Sequence, residues 1–248
     1  FYRPPAPTHA ARWAHIAAAH HGFVFTAKLH KSFTHDGQIS QSAIDEFKRG
    51  VFPLSEAGVL RHLLAQFRYD FVDTPHNREL LAKIHAAFSG MATVSLELRH
   101  RTWQATDALA FITQLGATLV NLDYPLGHDS FDLQVTGIGR QAYLRLHGRN
   151  RAAWFDHEAG RDETYNYLYT PVEMEELVHR AKAIVQQAES LVVVANNHYQ
   201  GKAVVNALQF KAMLESKPVK VPEPLLGRYH GLASIAVTTE SGLLPLGY

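Results

Sequence analysis

Apolar and polar positions change along this chain in blocks. Six short runs rich in aliphatic and β-branched residues recur at 23–29, 63–67, 93–98, 118–122, 142–146 and 191–195. Runs of this length between polar residues predict buried strands. Most of the intervals between them have helical spacing and readable ends. Thr8 precedes HAARWAHIAAAHHG, which stops at Gly22. Thr74 with Pro75 predicts an N-cap followed by proline at the first helical position, opening HNRELLAKIHAAF. Thr170, Pro171, Val172 and Glu173 form a capping-box pattern, in which the Thr and Glu side chains meet the orphan amides of a helix start. The helix behind it, 171–188, places Met174, Leu177, Ala181 and Ile184 on one face.

Strand, helix and strand repeated in this way predict a mostly parallel sheet covered by helices. No internal repeat or low-complexity tract interrupts the pattern, and no Pro/Gly-rich linker divides it before about Ser216. Residues 1–215 are expected to form one body. The tail, 216–248, is punctuated by proline without an evident helical pattern. It is expected to pack on that body as an extension, with 234–239 as a strand.

Composition narrows the function. With 248 residues and 46% hydrophobic content, the chain has ample material for a core. Lys and Arg total 24 against 23 acidic residues, a balance that argues against a strongly basic nucleic-acid binder and leaves room for a local basic patch. The absence of cysteine removes disulfides, thiolate metal sites and cysteine nucleophiles together. No apolar run approaches membrane-spanning length, and the first residues lack a signal-peptide core, so a soluble, cytoplasmic protein without a membrane partner is expected.

The polar residues gather where each run stops. Lys28 and His30 end the first, followed by Ser32, Thr34 and His35; Gln66 and Arg68 end the second. Glu97, Arg99, His100 and Trp103 end the third and Asp123 the fourth. Arg145 and His147 end the fifth, and Asn196, Asn197 and His198 the sixth. Residues two apart on a strand share a face, so Lys28 with His30, Glu97 with Arg99, and Arg145 with His147 project as pairs. A single polar residue at a strand end is ordinarily a solvated edge residue. The same pattern at six ends points to one ligand-binding mouth, which is where parallel α/β folds bind.

Other motifs are missing. No His-Glu-x-x-His or comparable ligand spacing occurs, so neither a metal nor another cofactor is expected, and His20-His21 is read as meeting helix C-terminal carbonyls. Gly137 and Gly139 lack the third glycine and the strand-to-helix context of a phosphate loop. Trp103 and Trp154 each have packing as the ordinary alternative to stacking.

The succession FVFTAKLHKSFTHD, VSLELRHRTW, VNLDYP, AYLRLHGRN, YNYLYT and VVVANNHYQGKAVVNALQF closely resembles the YecE-like family, domain of unknown function 72, in order and spacing from residue 1 to about 214. The resemblance implies a TIM-type (β/α) barrel and supplies no reaction. It covers Lys28, Thr34 with His35, Glu97 with Arg99, Trp103, Asp123, the Arg-x-His-Gly-Arg from Arg145 to Arg149, and Asn196 with Asn197. Two departures stand out. Gln66-Phe67-Arg68 replaces the family's common Gln-x-Pro, and the family's opening Gly-x-Ser-Gly-Trp strand is absent, with Phe1-Tyr2-Arg3 matching the end of its second strand. The expected fold is therefore a TIM-type barrel in which this chain carries strands three to eight and the N-terminal strands are missing. The rival expectation has the segment at 234–239 filling part of the gap.

The functional expectation is a small anionic ligand, bearing phosphate or carboxylate, held at the carboxyl ends of the strands. From Arg140 to Arg151 there are four arginines and His147, with no acidic residue until Asp156. Two carboxylates, Glu97 and Asp123, cannot neutralise Lys28, Arg99, Arg145 and Arg149 if all converge, and arginine's planar fork suits such an anion. The candidate binding residues are Arg99, Arg145, Arg149, Asn150, His35, Gln66, Trp103, Asn196 and Asn197. Glu97 is the candidate general acid or base, with Asp123, Lys28 and His147 as further catalytic candidates. Two alternatives remain: a nucleic-acid-binding or endonuclease-like protein on the same rim, which the near-neutral charge disfavours, and a non-catalytic scaffold or sensor.

Overall fold

The computed structural model describes residues 3–37 and 39–238. The chain opens with helix α1 (Pro7–Ala18), strand β1 (Phe25–Lys28), the single turn α2 (Lys31–Thr34) and helix α3 (Gln41–Glu56). Next come β2 (Leu60–Gln66), α4 (Pro75–Phe88), β3 (Thr93–Glu97), α5 (Thr106–Leu115), β4 (Thr118–Leu119) and β5 (Asn121–Asp123). Then follow β6 (Gln141–Leu146), the short α6 (Arg151–Phe155) and α7 (Arg161–Thr164), α8 (Pro171–Val185) and β7 (Ser190–Ala195). The chain finishes with α9 (Lys202–Glu215), β8 (Val219–Val221), α10 (Glu223–Arg228) and β9 (Ala236–Thr238).

The strands form a four-stranded parallel sheet in the order β1-β2-β3-β4, a three-stranded sheet in the order β5-β6-β7, and a parallel pair β8-β9. This is a mixed α/β fold with parallel sheets. Among the described residues there are three separate sheets and no closed eight-stranded ring. The apolar run at 118–122 is divided between two of them. Val120 still donates its N–H to the Leu96 carbonyl at 3.0 Å. Asn121 then accepts from the Thr136 N–H at 2.7 Å and donates to the Tyr143 carbonyl at 3.5 Å. The amide side chain thus meets loop backbone at the point where the ladder changes.

The chain folds into two compact units. One comprises the residues up to Asn121 together with Leu126–Tyr143 and Gln187–Val192; the other comprises Leu122–Pro125, Leu144–Gln186 and the residues from Val193 onward.

Helix starts follow the capping signals with one exception. Thr74 accepts from Asn77 N–H before Pro75, and the Thr170–Glu173 capping box is formed in full. The first helix begins earlier than Thr8: Ala6 is its N-cap and Pro7 its first residue, because proline's fixed φ is already helical. The face of α8 that carries Met174, Leu177, Ala181 and Ile184 is buried. In the tail, which carried no evident helical pattern, α10 follows Pro222 with a second proline in its first turn. The tail strand β9 pairs with β8, while Thr239 and the Phe1-Tyr2 segment lie outside the described residues.

In the first unit, parallel register sorts side chains onto two faces. Thr26 pairs with His62 and Lys28 with Leu64; His62, Leu64 and Gln66 pair with Thr93, Ser95 and Glu97; Ser95 pairs with Thr118. Partners across a ladder share a face and neighbours along a strand alternate, so this face is polar for most of its length. The opposite face carries Leu63, Ala65, Val94, Leu96 and Leu119, all buried in the core with α3, α4 and α5. There Phe33, Phe47 and Phe88 meet edge to face at 5.2–6.1 Å, the geometry that aromatic quadrupoles favour. Among the described residues, no helix is long and apolar enough to cross a membrane.

Candidate functional site

The polar face of the β1–β4 sheet carries its charged residues at the strand ends. Lys28 closes β1, Gln66 closes β2 and Glu97 closes β3, with Gln66 and Glu97 in direct register. Two residues on, Arg99 turns back and donates from Nε (2.9 Å) and Nη2 (2.6 Å) to one oxygen of Glu97. Glu97 is 0% exposed and Arg99 nearly buried, so this is an ion pair largely withdrawn from water. Arg68, just past β2, forks onto both oxygens of exposed Asp70 at 3.0 Å.

His35 follows α2, its Nδ1 2.9 Å from the Thr34 hydroxyl. Partial burial lowers its pKa, and the charges of Lys28, Arg68 and Arg99 lower it further against the opposing pull of Asp36. Three cations from the ends of three consecutive strands therefore act on one imidazole. Trp103 stands apart from this group. It is fully buried, donates its indole N–H to the Phe71 carbonyl at 2.7 Å and stacks on Phe71 at 5.7 Å. Its donor and one ring face are used in packing.

The second unit holds the rest of the expected residues, in two networks. In the first, Arg145, buried on β6, donates from Nη2 to Asn196 Oδ1 at 3.0 Å, and the Asn196 amide nitrogen lies 3.2 Å from His147 Nδ1. The His147 ring is 0% exposed and contacts Tyr124, Trp154 and Tyr165 at 5.7–6.5 Å between ring centres.

The second network centres on Asp123. Arg149 donates to it from Nε (3.1 Å) and Nη2 (2.9 Å), and the Tyr169 hydroxyl donates at 2.7 Å. The same hydroxyl accepts the Gly148 N–H at 2.9 Å. From its other arm Arg149 reaches Glu173 at 3.4 Å and Glu176 at 3.2 Å. Buried Arg180 lies 4.0 Å from Asp123.

These contacts move several pKa values. The hydrogen bond to Asp123 holds the Arg149 guanidinium charged well above its ordinary range, and burial with the Asp123 charge pushes the Tyr169 hydroxyl up. Burial, reinforced by its 2.6 Å hydrogen bond to Glu173, pushes Tyr167 up to about 12. Burial alone would raise Glu173, but Tyr167, Thr170 and Arg149 outweigh it and hold the carboxyl low. Arg180 is lowered by burial and by Arg149, with Asp123 opposing.

The sequence reading foresaw a shortage of carboxylates around Arg149. The structure supplies three, because α8 brings Glu173 and Glu176 to the guanidinium that also grips Asp123. Asn150 serves as the N-cap of α6, accepting from Ala153 N–H at 3.5 Å and donating to the Glu163 carbonyl at 3.0 Å. Buried Asn197 donates to the Tyr167 carbonyl and to Asn206 at 2.8 and 2.7 Å. The roles of Tyr169, Glu173, Glu176 and Arg180 went unread. The one signal for them was the YNYLYT stretch followed by the capping box, which marks the segment without naming its partners. Also unread was His62, buried on β2 with Nδ1 2.8 Å from Ser95 Oγ.

Among the described residues, no group of three or more histidines and carboxylates is arranged to hold a metal ion. Lys28, His35 and Arg99 are brought together in the first unit; Arg145, His147 and Asn196 form one group in the second, and Asp123 with Arg149 another.

Comparison with known proteins gives a consistent result. The UPF0759 protein YunF of Bacillus subtilis is 26% identical over 78% of this chain and 73% of its own length. A crystal structure of a DUF72 family protein from Thermotoga maritima is 30% identical, with a TM-score of 0.73 over 83% of this chain and 79% of that one. One from Enterococcus faecalis is 26% identical, with a TM-score of 0.77 over 90% and 86%. The family model described as protein of unknown function DUF72 matches residues 1–227, and with that span and these structural relatives the chain belongs to the DUF72 family.

Proposed function

We propose that this protein binds a small anion bearing phosphate or carboxylate at the carboxyl ends of β1, β2 and β3, with the alternating strands and helices taken as parts of a TIM-type barrel. One observation carries the reading: Lys28, Arg68 and Arg99 stand at or just past the carboxyl ends of three neighbouring parallel strands, and after burial their charges lower the pKa of His35 against the pull of Asp36, which supports a positive potential at this end of the sheet. Arg68 shares its charge with Asp70 and Arg99 with Glu97, and Lys28 adds an ammonium at the end of the neighbouring strand on the same polar face. Guanidinium forks and an ammonium together suit a phosphate or carboxylate group. Glu97 is read as the group that exchanges a proton with the bound ligand, a reading supported by its position at the end of β3 and its ion pair with Arg99.

The experiment is an NMR titration of the His35 ring with inorganic phosphate and with citrate at low salt. A bound anion counteracts the three cations, so His35 should titrate at higher pH in its presence. The Lys28→Met variant should weaken the response several-fold, and added salt should reduce it. A His35 titration unmoved by millimolar phosphate and citrate would overturn the reading.

A further inference from the structure

At the carboxyl ends of β5, β6 and β7 the second unit gathers a set of aromatic rings. Tyr124 follows β5, His147 follows β6 and His198 follows β7. Between His147 and the start of α8 the chain makes a long connection whose own structure is two short helices of 5 and 4 residues. Connections beyond about 12–15 residues are uncommon in compact folds and are often binding elements. This one carries Trp154 and Tyr165, both half-buried.

Their rings form one continuous cluster. Trp154 lies 5.7 Å from His147, 6.0 Å from Tyr124 and 6.0 Å from Tyr165, the last at 87°. Tyr165 lies 6.2 Å from His147 and 5.2 Å from His198.

The floor of the cluster has a defined protonation pattern. A guanidinium can only donate, so the Asn196 atom facing Arg145 is its oxygen and the atom facing His147 is its NH₂. That NH₂ donates to His147 Nδ1, which must therefore be unprotonated. His147 is thus a neutral imidazole with its proton on Nε2.

We propose that Trp154 and Tyr165, each in ring contact with the neutral His147, form a stacking subsite for a planar heteroaromatic ring of the nucleobase class. Trp154 and Tyr165 are each only partly buried, and any base supplies a π-face that stacks on an aromatic ring.

The test is saturation-transfer NMR on the intact chain with adenosine and uridine, with ribose as the ring-free control. Nucleosides carry no phosphate, so the outcome is independent of the anion site. Transfer should reach the base protons of both nucleosides, and ribose should give none. Trp154→Leu and Tyr165→Leu should each weaken nucleoside binding about tenfold. Arg151→Ala, on the same short helix, should leave it unchanged. No transfer to either nucleoside at millimolar concentration, equal transfer to ribose, or undiminished binding by a folded Trp154→Leu protein would each overturn the proposal.

Discussion

His62 offers a stability measurement that can be worked out from the structure. Its ring is 0% exposed on β2, with Nδ1 2.8 Å from Ser95 Oγ and its face-to-edge neighbour Tyr143 4.9 Å away. Among the described residues Nε2 has no hydrogen-bond partner, so a protonated ring would bury a charged N–H with nothing to accept it. Burial first, and the charge of Arg61 second, lower its pKa from 6.5 to about 4. The unfolded chain binds this proton more readily, so the stabilisation is complete above pH 6.5 and is lost as pH falls from there toward 4. The difference, 6.5 minus about 4, is about 2.5 pH units, which at 1.36 kcal/mol each is about 3 kcal/mol in all, with about 2 kcal/mol already gone at pH 5. Urea unfolding of the wild type and of His62→Gln at pH 7, 6, 5 and 4.5 isolates the effect, because the other titrating groups are common to both. The wild type should lose about 2 kcal/mol more than the variant between pH 7 and 5. Parallel losses in the two proteins would refute the reasoning.

Other expectations concern single contacts. Arg99→Met strands the 0% exposed Glu97 carboxylate and should cost about 3–5 kcal/mol in urea unfolding at pH 7, with the loss shrinking as Glu97 is protonated. Tyr169→Phe removes both the donor to Asp123 and the acceptor of Gly148 N–H, for about 1–3 kcal/mol by the same assay. Gly148 has φ +89°, and an added Cβ would sit 2.7 Å from Tyr167 Cβ, so Gly148→Ala should lower the thermal midpoint by more than an exposed helix Gly→Ala change raises it. Nitrogen-15 spectra of the His147 ring should show Nδ1 unprotonated at pH 7, and Asn196→Asp, which replaces the donor by an acceptor, should move the proton to Nδ1.

Much of the element plan was legible because it is local. The six apolar runs all overlap strands, and the Thr74 and Thr170 caps sit where their side chains reach amides three residues on. The division of 118–122 between two sheets was not legible, since it depends on Asn121 meeting Thr136 and Tyr143 from later in the chain. The same limit applies to the charges. The sequence from Arg140 to Phe155 holds no acidic residue, whereas the carboxylates that hold Arg149 are Asp123, 26 positions upstream, and Glu173 and Glu176, 24 and 27 positions downstream on α8. His62 escaped notice because the apolar run began at Leu63, one residue past it, while the strand begins at Leu60. Trp103 could be placed at a strand end, but only the fold reveals that its N–H faces the Phe71 carbonyl.

The polar face of the β1–β4 sheet also bears on how the protein responds to temperature. His62, Ser95 and Thr118 are buried on this face, where an all-aliphatic sheet would place Val or Ile. Unfolding exposes these polar atoms along with the apolar core. Apolar exposure raises the heat capacity by about 0.45 cal/mol/K per Å², and polar exposure lowers it by about 0.26. Each buried hydroxyl or imidazole on this face therefore subtracts from the heat-capacity change that an aliphatic replacement would add. The stability curve of this unit should be flatter than that of a sheet of the same size with two apolar faces, so that its folding free energy varies less between cold and warm conditions.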